Sequence, residues 1–209
     1  MKKLLLSFAV LVACATTTRA QDSDNSFGIK AGASLTSFVG KDVSSSASYL
    51  FGFNGGLVAN IKLSERLSVQ PELLYSMKGA KDKMTLGTTT LTGTQRLHYI
   101  DVPILLKAKF GQVFVEAGPQ AGVLVRANAK FDDGSSNSDV ANKDAFNLVD
   151  FGYVAGLGYQ STSGPMVGVR YNGGFTNVDQ SNVVNGQSIQ AKARNSAFQL
   201  YVGYMFGGK

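Results

Sequence analysis

The chain has no tryptophan, one cysteine (Cys14), one histidine (His98) and four prolines among 209 residues. One cysteine excludes an intrachain disulfide framework and a multi-cysteine metal site. Charged residues make up only 16% of the chain, where soluble domains usually carry about 25%. Low charge, with 13 phenylalanines and 8 tyrosines, excludes a disordered chain. The 24 glycines follow no three-residue period, so a collagen repeat is excluded. A mean hydropathy of +0.03 is too low for a bundle of membrane-spanning helices.

The N-terminus reads as a targeting segment. Met1-Lys2-Lys3 is a basic start, Leu4 to Ala15 is an apolar run, and Ala20 is a small residue before Gln21. This predicts a secretory signal over residues 1–20, cleaved after Ala20, followed by one domain over 21–209. A transmembrane anchor would need about 20 apolar residues. Leu11-Val12-Ala13-Cys14 also fits a lipoprotein pattern, in which Cys14 would carry the lipid. Cleavage after Ala20 removes Lys2, Lys3 and Arg19, so Lys+Arg falls from 20 to 17 against 14 acids. The net charge then drops from +6 to +3, and nucleic acid is not an expected partner.

Beyond residue 25 apolar residues recur at every second position, the period of a strand. Eight such segments cover 27–36, 51–63, 67–78, 99–109, 113–126, 149–160, 166–175 and 197–206. In the fifth, Val113, Val115, Ala117, Pro119, Ala121, Val123 and Val125 share one face, with Phe114, Glu116, Gly118, Gln120, Gly122, Leu124 and Arg126 opposite. Each segment is about as long as a tilted strand needs to cross a bilayer. Tight turns at 64–66, 110–112 and 161–164 alternate with long polar connections at 39–50, 79–95, 128–147 and 177–195. The pattern predicts an all-β fold, an eight-stranded antiparallel up-and-down transmembrane β-barrel with short periplasmic turns and long extracellular loops. Both termini then lie at the periplasmic rim.

A soluble barrel alternates too, but with its polar face outward. Three features favour the membrane. Glycines such as Gly28, Gly56, Gly158 and Gly168 crowd the polar face, which suits a narrow interior. Tyr75, Tyr153, Tyr159, Tyr171, Tyr204 and Phe206 lie on the apolar face near segment ends, as an interfacial girdle requires. Charges on the polar face are sparse and of mixed sign. In a bilayer the sheet must close, because an open edge leaves backbone groups unpaired. Pro71, Pro103 and Pro119 each remove a ladder hydrogen bond and predict bulges or lipid-facing kinks.

Several strings carry a family resemblance. They are Gly28-Ile29-Lys30-Ala31-Gly32, Gln70-Pro71-Glu72-Leu73-Leu74-Tyr75-Ser76, the stretch from Tyr99 to Lys107 (YIDVPILLK), Glu116-Ala117-Gly118-Pro119, Arg170-Tyr171-Asn172 and Gly203-Tyr204-Met205-Phe206. In this order, over residues 26–206, they resemble the porin-like outer-membrane β-barrel family, also called the PorT type. The resemblance implies an integral outer-membrane protein of Gram-negative bacteria and says little about activity. Expected partners are outer-membrane lipids and lipopolysaccharide, the barrel-assembly machinery during biogenesis, and an unidentified extracellular or secretion-system partner.

The candidate site residues are the charges on the polar face. Glu72, Asp101, Glu116 and Asp150 share it with Lys30, Lys62, Lys107, Lys109, Arg126 and Arg170. An eight-stranded barrel holds only side chains or one small ligand, and a buried charge needs a partner of opposite sign. The expectation is an ion-pair network of Lys30, Glu72, Asp101, Lys107, Glu116, Arg126 and Arg170 that fills the lumen. Against this stand a narrow porin and a secretion component. His98, with Ser76 or Asp101, would suggest a hydrolase, but no Gly-x-Ser-x-Gly elbow accompanies it. Asp132, Asp133, Ser135 and Asp139 lack the ordered spacing of a calcium loop. The expectation is a protein that is not an enzyme, with no cofactor and no metal.

Overall fold

A computed structural model describes residues 25–43, 47–86, 89–132, 137–140, 143, 145–180, 182–184, 187–189 and 192–207. The expected signal segment with Cys14, and residues 133–135 of the acidic loop, lie outside the described residues. Eleven strands follow in order: β1 (Ser26–Val39), β2 (Ser48–Lys62), β3 (Leu67–Leu86), β4 (Thr89–Phe110), β5 (Val113–Asp132), β6 (Asn137–Val140), β7 (Val149–Gln160), β8 (Pro165–Gly174), β9 (Asn182–Val184), β10 (Gln187–Ile189) and β11 (Arg194–Phe206). Eight of them form one antiparallel sheet in the order β4-β3-β2-β1-β11-β8-β7-β5, and pairing of β4 with β5 closes it. β6 pairs with the far end of β5, beyond the residues that β7 occupies. β9 and β10 pair only with each other.

The eight alternating segments coincide with these eight long strands. At the short-turn rim, Gly111 takes a φ of +66° in the two-residue turn between Phe110 and Val113. That left-handed first position is one glycine accepts without strain. The register gives the stagger. The ladder passes from Val113 through Tyr159, Val167, Val202, Ala31, Gly55, Tyr75 and Ile100 to Val123. One circuit therefore returns to β5 ten residues further on (123 minus 113). Such a shear tilts the strands and sets the barrel's bore.

The outer wall is apolar. Phe27, Phe51, Leu57, Ile104, Leu157 and Val202 are all more than half exposed, while Lys30, Glu72 and Arg170 are buried inside. A soluble barrel has the reverse sense. Exposed apolar surface wrapping the whole barrel far exceeds the few hundred Å² a soluble monomer tolerates, so the wall faces lipid. Rings pair towards both rims: Tyr171 with Phe198 and Tyr204 with Phe206, each at 4.9 Å between centroids. Glycine makes room inside. A Cβ on Gly168 would sit 2.6 Å from the Tyr201 ring, and one on Gly158 would sit 2.5 Å from the Phe114 ring.

Two expectations are corrected. Residues 79–95 are not a long loop, because β3 and β4 stay paired to Leu86 and Thr89. A ladder beyond the bilayer needs no apolar face, and the threonines there favour strand. The prolines do not cause bulges either. The β3–β4 ladder skips Glu72–Leu73 opposite Val102–Pro103 and resumes in unchanged register. The register slips instead at Tyr49/Asn54 and at His98/Tyr99. A missing donor removes one bridge, whereas a bulge needs an extra residue. Pro119 faces lipid and Pro103 is buried on the lumen side.

Candidate functional site

Inward-pointing side chains fill the lumen. Eight charged residues are buried among the described residues: Lys30, Lys78, Lys107 and Arg170 against Glu72, Asp101, Glu116 and Asp150. The signs balance, and they divide into two clusters at different heights.

The cluster nearer the short-turn rim centres on Glu72. Lys30 Nζ donates to its Oε1 at 2.7 Å and Arg170 Nη1 to its Oε2 at 2.8 Å. Gln70 Nε2 donates to both Glu72 and Glu116, at 2.8 and 3.2 Å. Glu116 also accepts from the Tyr201 hydroxyl at 2.9 Å. Lys107 meets no carboxylate directly; its Nζ donates to Gln70 and Gln160. Each of these lysines lies over a ring, Lys30 on Tyr201 at 3.9 Å and Lys107 on Phe114 at 3.8 Å. Val58, Phe114, Met166, Tyr201 and Met205 pack there as an apolar layer. Below it the lumen opens at the short-turn rim into a vestibule of about 940 Å³ lined by Lys62, Arg66, Lys109 and Gln160.

The cluster nearer the long-loop rim centres on Lys78. Its Nζ donates to Asp101 Oδ1 at 3.2 Å and to Asp150 Oδ2 at 3.1 Å. Asn195 Nδ2 also donates to Asp150, at 3.1 Å. Beside this cluster Leu97, Tyr99, Leu124, Ala127, Phe146 and Val178 form a second apolar layer. Phe146 and Val178 come from the connections after β6 and β8 and turn back into the barrel mouth. Asn147 N donates to the Val178 carbonyl at 2.8 Å, and Gln180 Nε2 to the Phe146 carbonyl at 3.0 Å. The Asp42 carboxylate accepts from Lys192 N at 2.9 Å. Extracellular connections thus lock to one another over the mouth.

Lys30, Glu72, Glu116, Arg170 and Lys107 lie in one cluster, and Asp101 lies in the other. Arg126 is outside both; it is exposed and donates to Asn128 Oδ1 at 2.8 Å. The cause is the β5 bulge. His98 pairs with Arg126 but Tyr99 pairs with Leu124, leaving Val125 over. Past that extra residue the faces exchange, since a slip of one turns each side chain to the other side. Lys62 is exposed and Lys109 half-buried, both at the vestibule. Lys78 lies outside the expected set: it stands on the polar face of its segment, directly before a polar stretch that reads as a loop.

His98 sits on the outer wall, its Nδ1 2.7 Å from the Tyr75 hydroxyl. Ser76 and Asp101 are buried on the lumen side. The barrel wall separates His98 from both. Among the described residues no group of three or more His, Cys, Asp or Glu side chains could hold a metal ion.

The family described as Outer membrane protein beta-barrel domain matches residues 19–180. No curated protein matches the sequence. Among solved structures, the attachment invasion locus protein Ail of Yersinia pestis is 15% identical, with 87% of this chain and 99% of that chain covered and a TM-score of 0.48. Neisserial surface protein A is 17% identical, with 86% and 97% covered and a TM-score of 0.49. The outer membrane protease OmpT of Escherichia coli is 10% identical, with 91% and 100% covered and a TM-score of 0.47.

Proposed function

The chain belongs to the outer membrane protein beta-barrel domain family, and from that membership we propose that it is a closed, non-catalytic anchor that holds its extracellular connections on a rigid barrel for structural or binding roles. The observation that carries this reading is the double closure of the lumen. Two ion-pair clusters fill the bore, and Phe146 and Val178 are folded into its extracellular mouth. A buried pair that satisfies its own charge has little to offer a passing ion, and stripping it would cost several kcal/mol. The connections that meet at the mouth are where a rigid scaffold usually carries recognition. The order of strings from Gly28 to Phe206 supports placing the chain with the PorT-type branch, where a role beside a secretion apparatus is an argument by analogy. Export through a signal cleaved after Ala20 completes the reading.

The test is conductance in planar bilayers. The reading expects a silent membrane with folded, inserted protein. Discrete single-channel steps would replace it with a narrow porin.

A further inference from the structure

We propose that Arg96 and Arg126 form a binding site for the phosphate groups of a phosphorylated glycolipid in the outer leaflet. The site lies on the outside of the barrel and depends only on the wall facing lipid. It holds whether or not the lumen is closed.

The outward positions of β3, β4 and β5 are apolar through the bilayer. Leu73, Ile104, Val115 and Val123 are exposed there. At one level the chemistry changes on all three strands together. On β4, buried Leu97 and Tyr99 point inward, so the alternating His98 and Arg96 point outward. On β5 the bulge carries Arg126 to the outer face directly after Val123 and Val125. On β3, Lys78 and Ala80 are buried inward, which leaves Lys81 on the outside. The register sets His98 opposite Arg126, Arg96 opposite Asn128 and Lys81 opposite Thr94. Arg96 and Arg126 are therefore diagonal neighbours on one face, a spacing of roughly 7–8 Å between backbones.

Two guanidiniums so placed repel each other. Among the described residues neither has a carboxylate within salt-bridge distance. Asn128 stands between them and accepts from Arg126 Nε at 2.8 Å, which turns that guanidinium along the wall. The pair lies where the apolar belt ends, the depth of lipid phosphates on the extracellular side. A guanidinium fork matches phosphate oxygens in a bidentate manner. One phosphate, or two on one headgroup, would relieve the repulsion while the acyl chains lie along Val123, Val125 and Tyr75. Position selects a lipid over a soluble polyanion, because the patch is on the wall and not at the loop tips.

The experiment is native mass spectrometry of the folded, detergent-solubilised full chain with bisphosphorylated lipid A. The parent should retain the lipid. The double variant Arg96→Gln/Arg126→Gln should lose about tenfold in affinity, the scale of one strong charge-assisted contact. Arg66→Gln, at a periplasmic turn, should bind like the parent. Arg96→Lys/Arg126→Lys keeps the charge without the fork and should fall between. A heat-dependent gel shift verifies that each variant is folded. Equal retention by the double glutamine variant would overturn the proposal. So would equal retention of dephosphorylated lipid, or displacement by millimolar inorganic phosphate, which would make it a free-anion site.

Discussion

The two lumen clusters solve one problem with different completeness. Around Glu72 three cations meet two carboxylates, and three glutamines (Gln70, Gln160 and Gln199) and a tyrosine hydroxyl bridge what the charges leave over. Around Lys78 one cation serves two carboxylates, and buried acceptors remain: Asp101 Oδ2, Asn172 Oδ1 and Asn195 Oδ1 have no protein partner. A cavity of about 10 Å³ lies among Lys78, Asp150, Asn172 and Asn195. That is close to the room one water needs, with polar partners on several sides. Around Glu72 one buried group, Arg170 Nη2, lacks a protein partner, so the periplasmic cluster is the more nearly complete of the two. The extracellular half is left for solvent to finish. Each half has an unmatched sign, one extra cation against one extra carboxylate, so the two clusters are neutral only together.

The comparison can be broken at four points, from the largest effect down. Glu72→Gln leaves Lys30 and Arg170 without their shared counter-ion and should destabilise the barrel by about 3–5 kcal/mol, read as a lower urea midpoint in lipid vesicles. Lys78→Met should lose less, about 2–3 kcal/mol, because Asp150 keeps Asn195 and water can reach the carboxylates. A larger loss for Lys78→Met than for Glu72→Gln would reverse the ranking of the two halves. Asn172→Leu removes one hydrogen bond to Gln120 but also an unpartnered oxygen, so the same titration should register about 1 kcal/mol or less. Arg126→Gln is the reference for a charge outside both clusters. Its urea midpoint should stay within about 0.5 kcal/mol of the parent, and a loss as large as that of Lys78→Met would mean that Arg126 belongs to the network after all.

Much of this was legible from residues alone. Val113 to Val125 alternate so regularly that their strand and its apolar face need no further information. Gly158 and Gly168 on the polar side announce a crowded interior, now visible as the rings of Phe114 and Tyr201 packed against them. Phe114, Leu124 and Met205 were harder. Each is an isolated apolar residue on a polar face, and only side by side across five strands do they become layers. Lys78 was hidden by the polar stretch after it, since hydrophobic period marks where a strand meets lipid and not where its ladder stops. Arg126 failed for another reason. A bulge is one extra residue against a partner strand, and the partner is not in the local pattern.

The sequence by itself determined the strand period, the number of long strands, which face of each is apolar, and the rim of short turns. These are local, because alternation follows from the pleat and turns from a few residues. Tertiary structure decided the rest. The ten-residue shear brings Lys30, Glu72 and Arg170 from β1, β3 and β8 to one level, and the bulge at Val125 turns Arg126 out to the lipid. Both arise from pairing between strands, where one residue of offset changes every neighbour and every face beyond it.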